Sequence, residues 1–148
     1  MAVVLLSTGV VACSEPANND FPVSSATEGT EQFTPDEMMA IEGTTWKLVS
    51  YSQTPVLPES EITLELANGK LNGSAGCNSY FADYKLDNNQ LMVDRAGATK
   101  KFCGEPGVMA QEDAYLSLLQ QTDSAIAVTG NSLTIETSEG NLVFESAS

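Results

Sequence analysis

The feature that most restricts the fold of this chain is a series of short segments, from Thr44 onward, in which apolar and polar residues alternate. Trp46 and Leu48 flank a lysine, and the same pattern returns at residues 62–66, where apolar residues occupy every second position. Alternation with a period of two buries one face of a strand and exposes the other. Because Asn- and Gly-rich turns separate these segments, the sequence predicts an antiparallel β structure.

The turns indicate where the strands pair. Asn68-Gly69 joins two alternating segments, and this dipeptide favours a type I′ hairpin because both residues tolerate a positive φ. Asp87-Asn88-Asn89 and Glu139-Gly140-Asn141 mark two further turns. The sequence therefore predicts additional strands at residues 82–86, 91–93, 126–128, 133–137 and 142–145, of which the last three form a meander.

One segment between the strands has the periodicity of a helix. Pro106 suits the first helical turn, and residues recur at steps of three and four after it: Met109, Glu112, Tyr115, Leu116 and Leu119. We therefore expect an α+β fold that is mainly β. It would be an antiparallel curved sheet or incomplete small barrel of about seven or eight short strands, with one amphipathic helix over about residues 106–121.

The first twelve residues form an apolar, uncharged segment that is too short to span a bilayer and has the character of a signal peptide. It ends in Val10-Val11-Ala12-Cys13, which resembles the lipobox of bacterial lipoproteins. A basic region before the apolar run is missing, and similar strings also occur in buried strands. We expect cleavage before Cys13 and attachment of lipid to its thiol, which anchors the chain to a membrane. Ser14 at the next position favours the outer membrane of the cell envelope, facing the periplasm.

Residues 13–42 are rich in Ser, Thr, Glu, Asn and Pro and show no regular apolar period. We expect a flexible acidic tether, which spans about 30 Å as a random coil. Within it, Thr34 and Pro35 are suited to a helix N-cap and first helical position, so a short helical turn is expected as far as Ile41. The folded domain is expected over residues 43–148.

The average charge and the missing residue types argue against several functions. The net charge is −14, from 6 basic and 20 acidic residues, and a chain of this average charge is repelled by nucleic acid and by anionic lipid head groups. The chain contains no histidine, which removes Ser-His-Asp and Cys-His catalysis and imidazole-based zinc sites. We therefore expect no enzyme activity, no cofactor and no bound metal.

Two cysteines remain once Cys13 carries lipid. Cys77 and Cys103 would then lie in an exported, oxidising compartment, where an even number of thiols is normally paired. We predict a disulfide between them; the alternatives are a pair of buried free thiols and a redox or metal site. A bridge at this spacing stabilises the folded state by roughly 3.5 kcal/mol on the chain-entropy account.

The residues around these cysteines resemble a known family. The shared pattern consists of Gly73-Ser74-Ala75-Gly76-Cys77-Asn78-Ser79-Tyr80, Tyr84, Ala98-Thr99-Lys100-Lys101-Phe102-Cys103, Met109 with Glu112, Gly130 with Leu133, and Gly140 with Leu142-Val143-Phe144. From Gly43 almost to the C-terminus, the chain is similar to the META domain, the family of the heat-shock protein HslJ. It departs from the pattern at Ala82, where glycine is usual, and at Lys100-Lys101-Phe102, which replaces smaller apolar residues.

The resemblance implies a barrel-like antiparallel α+β domain, a link to heat and envelope stress, and no established catalytic activity. The polar positions of the motif are Asn78, Tyr80, Tyr84, Thr99 and Glu112. One hypothesis is structural: Asn78 satisfies backbone groups at a turn, and Tyr80 packs its ring while its hydroxyl reaches a partner at the rim. On the same hypothesis Glu112 is a surface residue or a hydrogen-bonded packing residue. The alternative is that the motif lines a binding groove beside the disulfide, with Glu112 as a recognition carboxylate.

Three functions fit these observations. The favoured hypothesis is a non-catalytic envelope module that binds another protein or acts in protection against stress. A second is a carrier of an apolar ligand in a half-open barrel, with Trp46, Tyr80, Tyr84 and Tyr115 as candidate walls. A third is an inhibitor of an extracellular hydrolase, in which the acidic domain complements a basic target. The identity of the partner and the oligomeric state do not follow from the sequence.

Overall fold

The computed structural model describes residues 33–121 and 124–147, so the predicted signal peptide and Cys13 lie outside the described residues. Two helices lie in this part of the chain, α1 (Pro35–Ile41) and α2 (Val108–Leu119). The strands are β1 (Thr45–Tyr51), β2 (Thr54–Pro55), β3 (Thr63–Ala67), β4 (Lys70–Ser74), β5 (Ser79–Asp87), β6 (Gln90–Val93), β7 (Gly97–Ala98), β8 (Ser124–Thr129), β9 (Ser132–Thr137) and β10 (Gly140–Ser146).

Eight of these strands form a closed antiparallel barrel in the order β1-β3-β4-β5-β6-β8-β9-β10. The barrel closes because β10 also pairs with β1, with Trp46 opposite Ser146 and Leu48 opposite Phe144. The short strands β2 and β7 pair with β1 and β5 outside this path. The prediction of a mainly β α+β fold is confirmed, and the sheet is a complete barrel rather than an incomplete one.

The hairpin between β3 and β4 has the predicted geometry. Asn68 has a φ of 53° and Gly69 a φ of 74°, so both central residues of the turn are left-handed, as a type I′ turn requires. This turn fixes the pairing of Leu66 with Leu71, and both side chains are buried in the barrel. The local turn chemistry and the burial pattern therefore specify the same register.

The helix α2 covers one end of the barrel. It begins after Gly107 and buries Tyr115, Leu118 and Leu119 against the inner face of the sheet. The ring of Tyr115 makes edge-to-face contacts with Tyr80 on β5 and Phe144 on β10, at centroid distances of 5.5 and 6.4 Å. The predicted helix is confirmed, with bounds two residues shorter at each end than expected.

The other end of the barrel is closed by α1. Thr34 and Glu37 form a capping box at the start of this helix, as the N-cap residue types predict. At its end, the Ile41 carbonyl accepts a hydrogen bond from the Trp46 indole N–H at 3.1 Å, and Ile41 itself is fully buried.

The packed part of the chain therefore begins before the predicted boundary at Gly43. Phe33 also packs against the core, and Glu42 forms a bridge with Leu66 on β3. Within the described ranges, no helix is long and apolar enough to cross a membrane.

Candidate functional site

The two cysteines of the motif are joined. Cys77 follows β4 and Cys103 precedes α2, and their sulfurs form a disulfide of 2.03 Å with a Cα–Cα distance of 5.9 Å. The predicted bridge is thus confirmed. It connects the turn between β4 and β5 to the segment that leads from β7 into α2.

Glu112 lies on α2, directly under the turn that contains Cys77. Its side chain is only 4% exposed. Oε2 accepts hydrogen bonds from the backbone N–H groups of Asn78, at 2.7 Å, and Cys77, at 3.2 Å. Oε1 accepts a third hydrogen bond from the Asn78 side-chain amide at 2.6 Å. The carboxylate therefore satisfies three donors of one turn, and a buried turn needs such a partner for its N–H groups.

Asn78 connects this carboxylate to the segment before Cys103. It is 2% exposed, and Oδ1 accepts hydrogen bonds from the Thr99 hydroxyl at 2.8 Å and the Lys101 N–H at 2.6 Å. Nδ2 donates to the Lys101 carbonyl at 3.2 Å as well as to Glu112. Both polar atoms of the amide are thus used in internal contacts, as the structural hypothesis for Asn78 requires.

Thr99 continues the connection to β5. Its hydroxyl accepts from the Ser79 N–H at 3.2 Å while its own N–H donates to the Ser79 carbonyl at 3.0 Å. The side chains of Asn78, Thr99 and Glu112 therefore form one hydrogen-bonded unit, called here the motif network. Together with the disulfide, it fixes residues 99–103 to the barrel end.

The glycines of the motif are required by the same packing. A Cβ on Gly73 would lie 2.0 Å from the Thr63 carbonyl oxygen, which is backbone and cannot move aside cheaply. Gly76 has a φ of 109°, and a Cβ there would lie 2.5 Å from the Ser60 hydroxyl. The glycines thus permit the close approach of β4 to β3 and the tight turn before Cys77.

Tyr80 and Tyr115 form a buried hydroxyl pair. The Tyr80 hydroxyl donates to the Thr63 carbonyl at 2.8 Å, so Tyr115 donates across the 2.6 Å contact between the two hydroxyls. Burial raises the pKa of both phenols above the usual value, since ionisation would place a charge in the core. Both tyrosines are core residues, and their hydroxyls are satisfied by each other and by the Thr63 carbonyl.

Tyr84 lies away from the motif network, at the α1 end of the barrel. Its hydroxyl donates to the Glu42 carboxylate, which joins α1 to β5. Burial first, and then the neighbouring carboxylate, raise the pKa of Tyr84. The structure therefore joins three of the five predicted polar positions, Asn78, Thr99 and Glu112, in one network. It pairs Tyr80 with Tyr115 in the core and places Tyr84 at the α1 end of the barrel.

Sequence reasoning missed Gln111 and Ser60. Gln111 is buried on α2, where its amide donates to the Ser60 hydroxyl at 2.9 Å and accepts from the Leu57 N–H at 2.8 Å. It holds the loop between β2 and β3 as Glu112 holds the loop between β4 and β5. The sequence signal for Gln111 was its position next to Glu112, because two adjacent polar residues interrupt the apolar stripe of the helix.

The aromatic residues considered as walls of a ligand cavity are core side chains. Trp46, Tyr80, Tyr84 and Tyr115 are all buried in the main hydrophobic cluster, and their polar atoms have partners within the chain. A groove of about 480 Å³ lies beside β1 and the end of β10, lined among others by Lys47, Val49, Leu57 and Glu145. It includes no motif residue.

The chemical capacity of the motif is limited. Among the described residues, every buried side-chain nitrogen and oxygen has a hydrogen-bond partner. No group of three potential metal ligands occurs in the same part of the chain. The motif network therefore holds backbone together and presents no unpaired base or nucleophile.

Comparison with known proteins agrees with this architecture. The family model for the META domain matches residues 39–148. An NMR structure of a protein from Burkholderia xenovorans has 24% sequence identity and a TM-score of 0.63, covering 86% of this chain and 97% of that chain. A second NMR structure has 21% identity and a TM-score of 0.62, covering 76% and 94%.

At these identities the two structures show similarity of fold alone, and none of the curated proteins compared with the chain matches it. The family match is independent of them and spans most of the sequence. This protein belongs to the META domain family.

Proposed function

We propose that this protein is a lipid-anchored envelope protein whose META domain, the HslJ-like domain associated with stress, acts as a non-catalytic binding or protective module. The motif network is the observation that supports a role without catalysis. Asn78 is 2% exposed and Glu112 is 4% exposed, and their polar atoms are used in hydrogen bonds to the chain itself. A catalytic carboxylate needs access to a substrate proton, which these contacts do not leave.

The anchor is supported by the sequence before the domain. Cys13 follows an apolar run and precedes an acidic segment, an order typical of a lipid-modified cysteine with a spacer. A diacylated or triacylated cysteine holds a protein on a bilayer essentially permanently, because each buried methylene contributes about 0.8 kcal/mol. On this proposal the domain meets its partners at the membrane surface of the cell envelope.

Two measurements on the full chain test the proposal. In the first, membrane and soluble fractions are compared for the wild type and for Cys13→Ala, and the mass of the membrane-bound chain is determined. We expect lipid on Cys13 and loss of membrane attachment in the variant. Equal distribution of the two proteins between the fractions contradicts the anchor.

In the second, the full chain is cross-linked in cells with and without heat stress, and the captured envelope proteins are identified by mass spectrometry. The Cys13→Ala chain is the matched control, because it carries the same domain without the anchor. We expect a defined set of envelope proteins that increases under stress and is lost in the control. Capture of no envelope protein by the anchored chain contradicts the binding module. Capture of the same proteins by both chains contradicts the requirement for the anchor.

A further inference from the structure

The six basic residues of this acidic chain are unevenly distributed. Lys47 forms an ion pair with Glu61 in the loop before β3, and Lys70 forms one with Asp83 on β5. Three of the six lie on one exposed segment between β6 and α2: Arg95, Lys100 and Lys101. With its two carboxylates, Asp94 and Glu105, this segment has a net charge of +1 in a chain whose net charge is −14. It is therefore a local positive region on a negative surface.

Two exposed aromatic side chains lie on or against the same segment. Phe102, next to Lys101, is 86% exposed. Phe81 on β5 is 66% exposed, and its ring covers Gly97, where an added Cβ would lie 2.7 Å from the ring. An exposed aromatic side chain beside cations combines apolar surface with positive charge, which is the combination that interfacial membrane-binding elements use. We call Phe81, Arg95, Lys100, Lys101 and Phe102 the basic aromatic tip.

The tip is held in one arrangement by the motif network. Asn78 binds both the N–H and the carbonyl of Lys101, and the disulfide fixes Cys103 on the other side of Phe102. Because the backbone on both sides of Phe102 is already ordered, docking of this side chain carries little additional loss of conformational entropy. The motif network thus has a consequence beyond stability, which is the rigid presentation of Phe102.

We propose that the basic aromatic tip docks on an anionic lipid surface, with Phe102 inserted at the level of the head groups and Lys100 and Lys101 beside lipid phosphates. Cationic side chains gain favourable energy near anionic lipids, and an adjacent aromatic side chain buries apolar surface at the interface. The inference rests on the proposed anchor at Cys13, which keeps a bilayer within reach.

The negative charge of the rest of the domain selects the orientation. A chain of charge −14 is repelled on average, but charges farther from the bilayer than about 8–10 Å are largely screened at physiological salt. Only the groups at the contact decide the sign of the interaction. An anionic surface therefore attracts the tip and repels the acidic remainder, so that the α2 end of the barrel faces the membrane.

Tryptophan reporters in the full chain test this orientation. Phe102→Trp places a reporter in the tip, and Met39→Trp is the matched control, since Met39 is 76% exposed on α1 at the opposite end of the barrel. Trp46 is buried and gives the same background in both. The chains are placed on vesicles of phosphatidylglycerol and phosphatidylethanolamine, with and without brominated acyl chains, and on phosphatidylcholine vesicles.

We expect the Phe102→Trp emission to shift to shorter wavelength and to be quenched by brominated lipid in the anionic vesicles alone, and the Met39→Trp emission to stay unchanged. Adding Lys100→Glu and Lys101→Glu should weaken docking at least tenfold, because each lysine contributes about fivefold near an anionic surface. No quenching of Phe102→Trp, or equal quenching of both reporters, overturns the inference.

The mass of the same preparation shows whether Cys13 carries lipid. If it does not, the anchor is contradicted. In that case the chain without lipid is added to an excess of the same vesicles. The comparison of the Phe102→Trp and Met39→Trp emissions then still tests whether the basic aromatic tip docks on anionic lipid.

Discussion

The side-chain amide of Asn78 donates to the carboxylate of Glu112 across 2.6 Å, and this contact links α2 to the turn between β4 and β5. The two residues are 34 positions apart in the sequence, yet each completes the hydrogen bonding of the other. Asn78 also holds Lys101 and Thr99, so one buried amide connects three separate parts of the chain. In this protein the polar residues of the family motif mainly join these three parts of the chain by hydrogen bonds.

Replacing Glu112 by glutamine should destabilise the domain although the two side chains have the same shape. The three neighbours of the carboxylate are all donors, so the amide nitrogen of the Glu112→Gln side chain must face one of them. We expect a loss of about 1–3 kcal/mol in the free energy of unfolding, the cost of an unsatisfied buried donor. Urea denaturation measures it.

Asp113→Asn is the control for this change, because Asp113 is the next residue on the same helix and is exposed. We expect it to alter the free energy of unfolding by less than about 0.5 kcal/mol. Equal stability of the Glu112→Gln and wild-type chains would show that the carboxylate is not needed for the fold.

Gly73→Ala should be severely destabilising. The added methyl group would lie 2.0 Å from the Thr63 carbonyl oxygen, so β3 and β4 must separate. We expect a loss of about 2–3 kcal/mol or more, as for overpacking in a rigid core. Gly104→Ala is the control, because nothing lies within 4 Å of its added Cβ. Similar melting temperatures for the two variants would refute the close approach of the strands.

Removing the disulfide should lower stability without abolishing the fold. The bridge closes a loop with a sequence separation of 26, and its loss should cost roughly 3.5 kcal/mol through the entropy of the unfolded chain. The Cys77→Ala/Cys103→Ala chain should keep its barrel because Asn78 and Glu112 still hold the same segments. Circular dichroism and thermal melting test both parts. An unfolded double variant, or one as stable as the wild type, contradicts this account.

The stability of the domain should fall at alkaline pH. Burial raises the pKa values of Tyr80, Tyr84 and Tyr115 in the folded state, whereas a tyrosine in the unfolded chain ionises near pH 10. Above that pH the unfolded state binds fewer protons than the folded state, so the free energy of unfolding decreases as pH rises. Stability from this source is fully present below about pH 10.

Urea midpoints measured from about pH 8 to about pH 11 test this sign. Tyr115→Phe removes one of the three groups and should make the decline shallower, even though it lowers stability at neutral pH by removing a hydroxyl contact. A midpoint that stays constant over this range, or an identical decline in the variant, would contradict the assignment of these phenols to the core.

Local patterns sufficed for much of the fold. The Asn68-Gly69 turn and the cap at Thr34 depend on neighbouring residues, and both were predicted correctly. The helical period located α2, but its buried face also includes Val108, Gln111 and Leu118, which the predicted stripe left out. Closure of the barrel depends on the pairing of Trp46 with Ser146, which no local pattern encodes. The start of the packed chain could not be predicted for the same reason. Local sequence does not show that Ile41 is buried, because its burial depends on the contact with Trp46.

The candidate site shows the same division. Motif resemblance identified Asn78, Thr99 and Glu112, but the sequence left open whether their polar atoms face solvent or the chain. That choice depends on how α2 approaches the turn at Cys77, which is a tertiary relationship. Tyr84 belongs to the motif in sequence and to the opposite end of the barrel in space, since a nine-residue strand carries it there.

The central claim is that the polar residues of the motif serve the fold, and a double-mutant cycle between Asn78 and Glu112 tests it most directly. The free energies of unfolding of the wild type, Asn78→Ala, Glu112→Ala and the double variant are compared by urea denaturation. We expect each single change to cost about 2–4 kcal/mol and the pair to be coupled by at least about 1 kcal/mol. Single variants as stable as the wild type, with no coupling between them, would contradict the claim and return both residues to the role of a binding site.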